Sequence, residues 1–286
     1  MALLAALGPP AQLRAEPRAG ETRAELDTEH MFGFVTGTDV GEGGEKEIES
    51  ESTGRLGKRS GAYAARSHVL GMEYTPVDNL RFELGASESY HDISGVPELD
   101  DLRRGAFAGL SLDMRYRLLD RARAGPGLTL LAEPHWARVD ETSGQPVTRH
   151  GAALAILMDR ELVPGRLVAA FNLLYEPEAV RSEVTGERWR EATFGLGAAI
   201  MQQVGPGLFV GLEARYLRQH ESLGFDAFAG HAFFLGPNVF FTPSEHWRIT
   251  ATWSMQVAGR AAEDPAALDL TNFERHQVRL SIGYRF

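Results

Sequence analysis

The last segment of the chain alternates without a break. Val278, Leu280, Ile282, Tyr284 and Phe286 fall on one face, and Gln277, Arg279, Ser281, Gly283 and Arg285 on the other. A period of two is that of a β-strand with one apolar face. The preceding segment repeats it, with Trp247, Ile249, Ala251, Trp253, Met255 and Val257 set against Arg248, Thr250, Thr252, Ser254 and Gln256. Earlier, Leu80, Phe82, Leu84 and Ala86 oppose Arg81, Glu83, Gly85 and Ser87, and Leu110, Leu112, Met114 and Tyr116 oppose Ser111, Asp113, Arg115 and Arg117. Leu167 to Tyr175 and Leu208 to Tyr216 alternate likewise. About twelve strands are predicted, near residues 45–56, 60–75, 79–92, 105–118, 127–140, 149–161, 166–178, 190–203, 208–220, 229–242, 246–259 and 275–286. The first is the weakest, because its outward positions Ile48, Ser50 and Ser52 are poor in apolar surface while Glu47, Glu49 and Glu51 line its other face.

A soluble sandwich would also alternate. Connection length separates the two, because transmembrane barrels pair short turns at one end with longer loops at the other. The short set is Thr75–Asn79, the stretch from Asp120 to Gly127, Val163–Gly165, Val204–Gly207 and Thr242–Glu245. Between them lie longer, mostly acidic connections around 94–104, 141–150, 179–191, 220–227 and 261–274; only the first, near Gly57, is short. The strands exceed the roughly 10 residues needed to cross a bilayer obliquely, so some should project beyond it.

Aromatic residues choose strand ends, as girdles at two membrane interfaces require. Tyr74, Tyr116 and Trp247 flank short turns, with Tyr284 on the same side; Tyr90, Trp136, Tyr175 and Tyr216 lie towards the long loops. Composition does not contradict this. The chain of 286 residues has 43% hydrophobic residues and a mean hydropathy of -0.22, and a barrel wall shows lipid only every second side chain. It holds no run of apolar residues long enough for a membrane helix. A net charge of -10 argues against a nucleic-acid partner, and the absence of cysteine removes disulfides and thiolate chemistry.

Three regions follow. Residues 1–20, with an apolar start and Pro9-Pro10, read as a truncated signal peptide. Residues 21–44, with Met31, Phe32, Phe34 and Val35, read as a periplasmic or plug-like segment, and residues 45–286 as the barrel.

Inward-facing charge is the main chemical feature. Glu47, Glu49, Glu51, Glu73, Arg81, Glu83, Asp113, Arg115, Arg117, Glu133, Glu176, Glu213, Arg215, Arg248, Arg279 and Arg285 are expected to line the lumen. They would either select solutes or brace a closed interior with ion pairs. Closing the barrel between its first and last strands should set Glu47 to Glu51 beside Arg279 and Arg285.

Other motifs are weak. Ser89 and His91 have a spacing seen in lipid-hydrolysing barrels, but in reverse order and on the lumen face, so the chain is read as no enzyme. Gly195-Leu-Gly197 lacks the third glycine and the helix of a dinucleotide loop. Glu98, Asp100 and Asp101 offer an outer-loop calcium site, against the ordinary reading of solvated acidic groups; no metal or cofactor is expected.

The chain resembles the bacterial outer-membrane β-barrel class over about residues 45–286. In Ser281-Ile-Gly-Tyr-Arg-Phe286, the terminal Phe286 and Tyr284 two residues before it look like the signal read by the barrel-assembly machinery. The runs Thr75–Leu84 and Asp269–His276 are similar to those of uncharacterised, porin-like proteobacterial barrels. The resemblance implies an up-and-down barrel in a Gram-negative outer membrane. Its expected partners are the assembly machinery, outer-membrane lipid and lipopolysaccharide. Its expected function is a porin-like channel for a small solute; the alternatives are a structural or surface-binding barrel with acidic loops and, less favoured, a lipid hydrolase.

Overall fold

The computed structural model describes residues 26–264 and 266–286, so the expected signal segment lies outside the described residues. Twelve strands form: β1 (Lys46–Leu56), β2 (Ala62–Val77), β3 (Leu80–Ser94), β4 (Leu102–Leu119), β5 (Pro126–Val139), β6 (Pro146–Val163), β7 (Leu167–Ser182), β8 (Arg188–Gly205), β9 (Leu208–His220), β10 (Phe228–Phe241), β11 (Trp247–Ala261) and β12 (His276–Arg285). Each pairs antiparallel with its sequence neighbours, and β1 pairs with β12 to close an up-and-down barrel without an edge. The short helix α1 (Arg121–Ala124), capped by the Asp120 side chain, sits in one turn.

Alternation decides which face meets the outside. Leu70, Met72, Leu84, Leu212, Trp253 and Leu280 are between 44 and 63% exposed, while Arg81, Glu213, Asn238 and Thr250 are 2% or less. Large apolar side chains outside and charged ones inside invert the order of a water-soluble core, as lipid contact demands. One end carries the short turns and the C-terminus, the periplasmic end in such barrels; the other carries the loops.

Three loops are shorter than the sequence suggested, spanning 95–101, 140–145 and 183–187, because β4, β6, β7 and β8 extend beyond the predicted limits, whereas the loop 221–227 lies where it was expected. Ladder hydrogen bonds continue there, with Val147 opposite Ser182 and Arg181 opposite Arg188. The acidic loop 262–275 departs from expectation in a second way. It folds inward rather than standing in solvent, with Asp269 fully buried and Phe273 only 8% exposed. Phe273 packs edge-on to Phe234 at 6.3 Å, and Lys58 donates to the carbonyls of Thr271 and Phe273. The apolar contact and the satisfied carbonyls favour the inward position over the solvated one.

Candidate functional site

The lumen is occupied from the turn end by the described part of the N-terminal segment, residues 26–45. Its apolar side chains find an apolar patch on the inner wall. Met31, Phe32 and Val35 pack with Val168, Ala170, Ala199, Met201, Phe209 and Phe240, which are inward positions of β7 to β10. An apolar inner wall would be costly against water, and the segment covers it.

Polar anchors fix the register of the segment. At its tip, Glu213 accepts the N–H groups of Gly33 at 2.6 Å, Phe34 at 2.8 Å and Val35 at 3.3 Å, and also Asn238 Nδ2 at 2.8 Å. Thr36 N donates to Asn172 Oδ1 at 2.7 Å, and Asn172 Nδ2 donates back to the Thr36 carbonyl at 2.8 Å. The Phe34 ring lies under two guanidinium groups, Arg215 at 3.8 Å and Arg279 at 4.5 Å from its centroid.

Nearer the turn end, Asp159 accepts Thr28 Oγ1 at 2.6 Å and Thr38 Oγ1 at 2.7 Å, and pairs with Arg121 at 3.0 Å. Arg121, 3% exposed, also pairs with Asp39 at 2.8 Å and donates to the Leu26 carbonyl. Two glycines make room for this chain. A Cβ on Gly127 would lie 2.0 Å from Thr38 Oγ1, and one on Gly33 would lie 1.8 Å from Thr252 Oγ1.

His30 enters a ring of carboxylates, 3.5 Å from Glu47, 3.6 Å from Glu49, 3.7 Å from Glu73 and 3.9 Å from Glu29. Burial alone would lower its pKa, but Glu73, Glu47 and Glu49 outweigh burial and hold the imidazole up to about 10. Burial pushes Glu45 up to about 7 and, despite Arg121, Asp39 up to about 6. Two groups, Glu29/His30/Glu73 and Glu49/Glu73/Glu83, have ligand atoms close enough for a metal ion. Arg81 reaches into both, at 2.7 Å from Glu29, 3.1 Å from Glu73 and 2.5 Å from Glu83, so a cation is already present.

The expected lumen residues all lie on the inner face. Arg81, Glu83 and Asp113 stand beside His30's ring of acids, with Arg115 3.1 Å from Asp113. Arg248 pairs with Glu47 and with Asp27 at 2.8 Å, and Arg285 with Asp27 at 2.9 Å and with Glu45. Arg117 is 3.5 Å from Asp39, and Arg279 is 3.1 Å from Glu51. Towards the loop end, Glu133 and Glu176 share the wall with Arg149, which joins Glu178 at 3.0 Å, Asp140 at 2.7 Å and Glu191 at 3.3 Å. His91 Nε2 lies 3.0 Å from the Glu141 carbonyl and Ser89 is an inward neighbour; no bond joins them. In the outer loop, Asp101 accepts Gly95 N at 2.7 Å and Asp100 accepts Gln145 at 3.0 Å, so these acids serve loop geometry.

Outside, Tyr74, Tyr116 and Trp247 are 44 to 46% exposed at the turn end, and Trp247 meets Tyr284 at 4.9 Å. Tyr284 meets Phe286 at 5.2 Å. At the loop end Tyr90 is 37% exposed, Tyr175 stacks on Phe194 at 4.7 Å, Tyr216 lies beside His231, and Trp136 is half-buried. Asp39, Arg121, Asp159, Asn172 and Asn238, which anchor the segment, belong to no sequence motif. The signal available was the apolar inner face of β7 to β10, where both faces of the strands are apolar near the turns.

A model of one family matches residues 24–286. The chain belongs to DUF6662, a family of unknown function. No curated protein matches it in sequence. In fold it is similar to an outer-membrane channel from Pseudomonas putida F1, with a TM-score of 0.59 at 13% identity, covering 87% of this chain and 98% of the other. It is also similar to the β domain of the Bordetella autotransporter BrkA, with a TM-score of 0.51 at 15% identity, covering 85% and 100%. This member of DUF6662 thus shares the closed antiparallel β-barrel fold of those outer-membrane proteins.

Proposed function

We propose that the barrel is a channel for small hydrophilic solutes in a Gram-negative outer membrane, narrowed by residues 26–45 from the periplasmic side. The observation that carries this is the segment's mode of attachment. Residues 26–40 are held by side chains of the wall, through backbone groups and hydroxyls and through ion pairs of Asp27, Glu29, His30 and Asp39, an arrangement that can release without unpairing any strand. Above it, Glu51, Glu133, Asp140, Glu141, Glu176, Glu178, Glu191 and Glu274 outnumber Arg55, Lys58, Arg149, Arg215 and Arg279, and Glu51 keeps 27% of its side-chain exposure. Such a lining favours cations.

A second reading is a closed barrel that presents its loops to a partner, and the inward-folded loop 262–275 favours it. Conductance separates the two. Refolded protein in a planar bilayer under a salt gradient should show single-channel steps with a cation-selective reversal potential; a folded barrel that stays silent, with or without the segment, overturns the channel reading. The Tyr284 and Phe286 pair supports recognition by the barrel-assembly machinery, so Phe286→Ala should lower the amount of folded barrel in the outer membrane while leaving the protein refoldable in detergent.

A further inference from the structure

The outer wall carries a polar island where lipid should be. On β1, β2 and β3, Ser52, His68 and Glu88 stand in a row across the strands: Ser52 is directly opposite His68, and His68 directly opposite Glu88. Directly opposed residues share a face, and Leu280, opposite Ser52 on its other side, is 44% exposed on the lipid face. Ser52 Oγ lies 2.9 Å from His68 Nδ1. His68 and Glu88 line a pocket of about 430 Å³ with Arg66, Tyr90, Gly105 and Phe107.

The height of the island is informative. Below it the same strands present Leu70, Met72 and Leu84, all more than half exposed, while Tyr90 and Arg103 lie just above, with Arg103 Nε donating to Tyr90 Oη at 2.9 Å. The row therefore sits at the upper edge of the apolar band, level with the ester groups of the outer leaflet. Charged and polar groups on the lipid face are costly, and a cluster there is a functional site by default. A bulge contributes: β3 and β4 change register at Ser87/Glu88, so that Gly109 and Phe107 are successive partners and Ala108 is extra.

We propose that Ser52, His68 and Glu88 form a hydrolytic site for a fatty-acyl ester of an outer-leaflet lipid, entered sideways from the membrane. Ser52 Oγ attacks the ester carbonyl carbon and its proton passes to His68 Nδ1. The C–O bond to the alcohol then breaks, the alcohol leaving with the proton from His68, and the acyl group remains on Ser52. Water adds to the acyl carbonyl, giving a proton to His68 that returns to Ser52 as the free fatty acid departs. The overall change is ester plus water to acid plus alcohol. Arg66 is the cation in the pocket able to stabilise the tetrahedral oxyanion. Glu88 is a positioning residue: it is not bonded to the ring in this structure, and closing on His68 Nε2 takes a turn of its flexible side chain, a tightening that commonly waits for substrate. This site is independent of the lumen and of the channel reading.

The test uses the full-length barrel, refolded and reconstituted, in two arms: vesicles of glycerophospholipid, and the same vesicles with purified lipopolysaccharide. Released fatty acid is measured by mass spectrometry, alongside labelling by a serine-directed fluorophosphonate. Release in either arm names the lipid, and Ser52→Ala and His68→Gln should each lower it by more than ~100-fold while leaving the folded form and the conductance unchanged. Glu88→Gln should lower the rate and shift the pH profile of release, a shift that a purely structural role would not give. No fatty acid from either lipid together with no adduct on Ser52 overturns the proposal, as does equal release by Ser52→Ala.

Discussion

Glu213 accepts the N–H of Gly33 at 2.6 Å at the deepest point reached by the N-terminal segment, and the carboxylate is 1% exposed. Three consecutive amides converge on one buried anion, so the tip is held by a charge and not by packing alone. Glu213→Ala leaves those amides without an acceptor, at about 2 to 3 kcal/mol. Hydrogen exchange of the Gly33 to Val35 amides should accelerate roughly 30- to 150-fold, and unchanged rates would show that the tip is held by packing.

Asp159 serves the turn-end half of the segment in the same way. Asp159→Asn keeps the shape but removes the charge facing Arg121, and breaking one side of a buried pair costs about 3 to 5 kcal/mol. Because the strands around it stay paired, the loss should appear as more frequent channel opening. Single-channel records should show a higher open probability with an unchanged heat-shifted mobility on gels; an unaltered record would contradict this.

The segment should loosen as pH rises. His30 is held at about 10 in the folded state against an ordinary value of 6.5, so its contribution is complete below about 6.5 and is lost as pH climbs towards 10. Asp39 and Glu45 have the same sign: their folded values, about 6 and about 7, lie above the ordinary range, and their contributions fade as pH rises from about 4 through those values. Arg81, Arg248 and Arg285 stay charged throughout and remain paired with the neighbouring acids. Conductance measured from pH 6 to 10 should increase, and His30→Gln should flatten the rise above pH 7. A decrease over that range contradicts the assignment.

The wall was legible because lipid on one side and polar lumen on the other impose a strict period of two. Val278 to Phe286 and Trp247 to Val257 show that period in sequence and take the matching strands, and β9 spans Leu208–His220 as its alternation predicts. The strand count and closure follow from the same signal. Loop lengths were less legible, since polar residues such as Arg181 and Arg188 continue a ladder beyond the bilayer, where alternation of hydrophobicity no longer marks it. The path of residues 26–45 was illegible for a different reason: Gly33, Thr36 and Thr38 are held through backbone and hydroxyl groups that have no periodic signature. Arg121 was hidden in a turn, and Ser52, His68 and Glu88 belong to three separate strands that only register brings together.

Residues 26–45 occupy the turn-end half of the lumen, and their removal is the most direct test of a narrowed channel. Single-channel conductance of the refolded barrel lacking residues 26–45, compared with the full chain in the same salt, should rise several-fold, with folding verified by the heat-shifted mobility. Equal conductance from the two proteins would show that the segment does not narrow the pore.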